Sequence, residues 1–122
     1  MVIVNVYVPD PEDPLYSDRF DPELTEKFRK YLKRKGIEFN SLGLSIIYYT
    51  HVHRIYASAS TITGRDLREL EKLGEIKEIR ATYECFEDEE WDEECSTYVI
   101  VVIEANDELK QLLKTPIQLI AR

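Results

Sequence analysis

Glycine is scarce in this 122-residue chain, with only Gly36, Gly43, Gly64 and Gly74. Three of them stand where helices start or stop, so none is left for a phosphate-cradling loop, and neither G-x-G-x-x-G nor G-K-[ST] occurs. Nucleotide binding of the usual kinds is therefore not expected. Cysteine is limited to Cys85 and Cys95, with no C-x-x-C pair, which argues against thiol redox catalysis. No stretch approaches the roughly 20 apolar residues of a membrane helix. Met1 leads straight into a β-like run, not into a basic segment and an apolar signal core, so the expectation is a cytoplasmic protein without membrane contact. Amides are few as well: three Asn and two Gln accompany a surplus of Glu and Lys, a balance associated with heat-adapted proteins.

What is present is apolar content of 43% and charged content of 33%, enough hydrophobicity to fold and an unusually ionised surface. One core fits this length, so residues 1–122 read as a single domain. The net charge of -8 is unevenly placed. Residues 1–60 carry eight acids and eight bases, residues 61–122 sixteen acids and eight bases, and Glu84 to Glu94 alone hold eight acids and no base.

Val2 to Val8 is β-branched and reads as a buried strand ended by Pro9. The proline-rich stretch 9–20 reads as a long connection. Asp21-Pro22-Glu23 is a helix start, with an oxygen to cap free amides, a ring suited to the first turn and an acid at the positive dipole end. That helix runs to Lys35, with Leu24, Phe28, Tyr31 and Leu32 on one face and Lys27, Lys30 and Arg34 on another. Leu42 to Ser60 alternates over a length suited to two strands, with the break near Thr50 to His53. Thr63 and Asp66 have capping-box spacing before a short helix ended by Gly74. Residues 75–85 and 97–103 read as strands, Asn106 caps a last helix, and Ile117 to Ala121 reads as a final strand.

The order β-α-β-β-α-β-β-α-β implies an α+β fold, a single mixed or mostly antiparallel sheet of five or six strands with helices on one face. Two overlapping stretches, residues 1–84 and roughly 52–121, have split βαβ character. In element order, residues 1–84 resemble the ferredoxin-like domains used as small ligand-sensing modules. They lack the glycine such modules carry between first strand and first helix.

Four features could carry function. His51 and His53, if extended, would point the same way about 7 Å apart and could hold a divalent metal or serve a metal-dependent enzyme, although no second Cys/His pair is near. A solvated hairpin edge gives the same pattern, and no other residue forms a nucleophile motif. Cys85 and Cys95 could face each other across a hairpin mouth as a disulfide, or remain two thiols. The basic ridge of Lys27, Lys30 and Arg34 could meet phosphates, but the chain's negative balance makes nucleic acid an unsuitable partner.

The fourth feature is Glu87, Asp88, Glu89, Glu90, Trp91, Asp92, Glu93 and Glu94. Charges this dense repel one another and should form an exposed loop. Trp91 at its centre either folds back on the sheet or anchors an interface. The leading expectation is a non-enzymatic interaction domain whose acidic, Trp-bearing loop binds a basic protein surface. The ridge of a second copy in a homo-oligomer is one such surface. The alternatives are a metal-dependent protein built on His51 and His53, and a small-molecule-sensing ferredoxin-like module.

Overall fold

The computed structural model describes residues 2–13, 15, 17–88 and 91–114, with the backbone alone for 86–88 and 91–94. Nine elements follow in order: β1 Ile3–Pro9, β2 Asp18–Phe20, α1 Pro22–Arg34, β3 Ser45–Tyr49, β4 Arg54–Ala59, α2 Gly64–Glu71, β5 Gly74–Asp88, β6 Trp91–Ala105 and α3 Asp107–Leu112. The strands form one mixed sheet of six in the order β2-β1-β3-β4-β6-β5. The fold is thus α+β.

The β1–β3 pair is parallel and all others are antiparallel. A ferredoxin-like arrangement of residues 1–84 would put a strand between β1 and β3, whereas here the two are direct neighbours, joined in register from Ile3↔Ser45 to Tyr7↔Tyr49. β4 and β5 run in the same direction with β6 between them. The stretch 9–20 contains an unexpected short strand, β2, because Tyr7 to Pro9 find backbone partners in Asp18 to Phe20. The expected strand at Ile117 to Ala121 lies outside the described residues.

Alternation along the strands separates the two faces. Val4, Val6 and Val8 on β1, Ile46 and Tyr48 on β3, Ile55, Ala57 and Ala59 on β4, and Val101, Ile103 and Ala105 on β6 are buried in one cluster. Leu24, Phe28, Tyr31 and Leu32 of α1, Leu70 of α2 and Leu109 of α3 feed the same cluster, so the helices cover this face. Phe28 meets Tyr48 edge-on at 5.7 Å. The α1 start follows from its sequence: the Asp21 carboxylate accepts from the Leu24 amide at 3.0 Å, and Pro22 occupies the first turn. Thr25 stitches the helix to the sheet, its hydroxyl accepting from the Val6 amide at 2.9 Å and donating to the Asp21 carbonyl at 2.7 Å.

Gly74 is fixed by crowding. A Cβ there would stand 1.8 Å from the carbonyl oxygen of Glu104, so only glycine lets β5 start beside the end of β6.

Candidate functional site

The β5–β6 hairpin outgrows the sheet. Pairing between β4 and β6 ends at Ala59↔Val99, yet β5 and β6 stay paired from Ala81↔Val99 through Phe86↔Glu94 to Asp88↔Trp91. Past Val99 the two strands therefore form a two-stranded arm, about 24 Å long at the usual rise per residue. Among the described residues nothing buries the arm: Tyr83 is 67% exposed, and Cys85, Cys95 and Ser96 are exposed too.

Most of the acidic run belongs to this arm. Glu87, Asp88, Trp91, Asp92, Glu93 and Glu94 occupy strand positions, and Glu89 and Glu90 lie outside the described residues. The sequence suggested an exposed loop. The ladder instead continues into it, because each backbone bond formed across the hairpin offsets part of the repulsion among carboxylates. Cys85 and Cys95 are direct cross-strand partners, with Cα atoms 4.0 Å apart, and are joined as a disulfide.

Lys27, Lys30 and Arg34 are exposed on α1, which packs against β1. Strands β3 and β4 separate β1 from β6, so within one chain this ridge and the arm belong to different parts of the sheet. Arg34 also lies over the Tyr31 ring at 5.6 Å.

His51 and His53 are in the turn between β3 and β4, not on an extended strand. The turn sends them to different partners. The His51 Nδ1 is 3.4 Å from the Asp18 carboxylate, and its ring meets Tyr49 edge-on at 6.1 Å. His53, at φ 50°, pairs its Nδ1 with the hydroxyl of buried Tyr48 at 2.8 Å. Burial and the Lys110 ammonium both push the His53 pKa down, and burial pushes the Tyr48 phenol up. Among the described residues no group of three or more His, Cys, Asp or Glu is placed to hold a metal ion.

The sheet face away from the helices was not singled out by the sequence. It carries Tyr7, Ile47, Tyr49, Tyr56, Ser58 and Ile100, which register places on one side. Tyr7 stacks on Tyr49 at 5.7 Å, and Tyr49 meets Tyr56 edge-on at 5.6 Å. A depression of about 590 Å³ lies over Ile47, Tyr49, Tyr56 and Ile100, with Asp18 and His51 at one rim and Arg80 at another. Asp18 and Arg80 come from the strands at the two ends of the order, so this hollow draws on the full width of the sheet. Burial, the neighbouring Tyr7, the Asp18 carboxylate and Tyr56 raise the Tyr49 pKa, keeping it a neutral phenol. The signal was available in the eight tyrosines, but only strand register shows that Tyr7, Tyr49 and Tyr56 lie together on one side.

Among the described residues no helix is long and apolar enough to cross a membrane. No family model, curated protein or solved structure matches the chain.

Proposed function

We propose that this chain is a non-enzymatic protein-interaction domain whose acidic arm docks on a basic surface of a partner protein. What supports the reading is the ladder beyond Ala59↔Val99, which carries the acid-rich segment away from the sheet's own body. Eight acids between Glu84 and Glu94 repel one another, and a cationic partner would relieve that repulsion. Trp91, at the start of β6, is the residue type that most often anchors such contacts.

The test uses a fluorescent oligolysine peptide as a stand-in for the basic surface. Affinity should fall steeply from low to high salt, as charge-steered association does. Replacing the tip acids together (Glu87→Gln, Asp88→Asn, Glu89→Gln, Glu90→Gln) should weaken binding by about tenfold or more. Neutralising Glu12, Asp13, Glu23 and Glu26 instead should have a much smaller effect. Equal losses from the two sets, or affinity indifferent to salt, would refute the arm as the binding element.

A second reading, a small-molecule-binding module, is favoured by the depression over Tyr49 and Tyr56. Its apolar floor suits a small apolar molecule, with any negative group turned toward Arg80 and away from the Asp18 carboxylate beside His51.

A further inference from the structure

The two edges of the sheet are treated differently. At one edge β2 is three residues long, the usual way of denying a template to other strands. At the other, β5 has fifteen residues, and among the described residues its outer side pairs with nothing. A bulge interrupts β5 between Ile76 and Glu78, after which the strand is regular from Glu78↔Val102 to Phe86↔Glu94. That regular run also exposes apolar side chains on the helix side, with Ile79 53% and Tyr83 67% accessible and Ala81 exposed between them. A long edge with an apolar row beside it is a surface prepared for another strand.

We propose that the strand is β5 of a second copy, paired antiparallel about a two-fold axis at Thr82, so that two six-stranded sheets become one. Thr82 is the midpoint of the regular run Glu78 to Phe86, so the run pairs with itself over its whole length. The register also matches charges. Glu78, Arg80, Thr82 and Glu84 share the face away from the helices, and a centre at Thr82 sets each Arg80 opposite the partner copy's Glu84, twice over by symmetry. On the helix side it sets small Ala81 opposite Tyr83.

Neighbouring centres do worse. An axis at Arg80 opposes two arginines, one at Ala81 opposes Glu78 with Glu84, and one at Ile79 forces the bulge into the new ladder. Both charged side chains have capacity to spare. Arg80 reaches Glu78 only at 3.9 Å, and Glu84 accepts from the Tyr98 hydroxyl at 3.0 Å without an ion pair among the described residues. Antiparallel pairing also sends the two acidic tips to opposite ends, roughly 48 Å apart at the usual rise per residue, well beyond the screening length of about 10 Å. The faces away from the helices fall on the same side in the two copies and join.

This association does not depend on the arm's binding to a basic partner. Neutralising the tip acids should leave the dimer intact, so either reading can fail alone. The decisive experiment is sedimentation velocity on the full chain. The wild type should dimerise, and Arg80→Glu or Glu84→Arg alone should weaken dimerisation by about tenfold or more, because each places like charges opposite one another. Mixing the two variants should restore a dimer, now a heterodimer, since every pair across the axis is again of opposite sign. That rescue also shows that both variants are folded. A monomeric wild type, a dimer indifferent to both substitutions, or a mixture no tighter than its components would each overturn the proposal. So would a monomer in which the outward amides between Ile79 and Cys85, those not bonded to β6, exchange slowly, which would show that the edge is already paired within one chain.

Discussion

Asp66 is a wholly buried carboxylate with no ion pair among the described residues. Hydrogen bonds replace the cation. The carboxylate accepts from the Asn40 amide at 2.6 Å, from the Ser41 hydroxyl, and from the Thr63 amide and hydroxyl at 3.3 and 2.9 Å. Burial works to raise its pKa, but the bonds from Ser41, Asn40 and Thr63 outweigh it and hold the group down to about 2. The folded-state value lies below the ordinary 3.8, so the carboxylate stabilises the fold above that pH and ceases to do so as pH falls toward 2. Asp66→Asn should cost about 2 kcal/mol at neutral pH, through the weakened cap and the donors left unmatched at Asn40 and Ser41. Urea melts across pH 2–5 provide the check: the wild type should lose stability in that window, and the variant should lose much less. The Thr63–Asp66 spacing was legible as a capping box. The tie to residues 40 and 41 was not, because it joins positions more than twenty apart in the chain.

Among the elements, α1 is the one the sequence described best. The Asp21 cap, Pro22 and the apolar row at helical spacing gave its limits, since capping and amphipathicity are local matters. The hairpin was read less well. Strands were expected at 75–85 and 97–103 with a loop between, whereas both run on into the acidic stretch. Charge repulsion is visible in a sequence, but the ladder that opposes it becomes visible only once the strands are in register. The disulfide bears on that balance, as it closes a short loop between Cys85 and Cys95, ten positions apart, in a segment beyond the pairing with β4. Reduction should release the tip, with amides near Tyr83 and Thr97 exchanging markedly faster and those of Val101 and Ile103 unchanged. The paired Cys85→Ser, Cys95→Ser variant should lose about 2–3 kcal/mol in the chain-entropy account. Exchange measured with and without reductant tests this, and equal protection in the two states would show that the ladder needs no clamp.

For the molecule as a whole, the buried cluster and the charge sit apart. The cluster draws on β1, α1, β3, β4, α2, β6 and α3, while the net charge arises in residues 61–122 and mostly between Glu84 and Glu94. Replacing the tip acids together should therefore change the unfolding free energy of the body by no more than about 0.5 kcal/mol for each position, the usual range for single surface substitutions. A thermal melt of the Glu87→Gln, Asp88→Asn, Glu89→Gln, Glu90→Gln chain reads this directly. A large shift in either direction would mean that the arm and the body are coupled.

By itself the sequence determined the α+β class, the helix caps, the apolar faces and the concentration of acid near one hairpin, because each depends on neighbours within a few residues or on simple counts. Only the tertiary structure decided that β1 and β3 are adjacent, that His51 and His53 part company, that Tyr7, Tyr49 and Tyr56 share the face away from the helices and that, among the described residues, β5 stands at an edge. These are consequences of strand order and register, which are set by contacts between residues far apart in the chain and leave no local pattern from which they could be read.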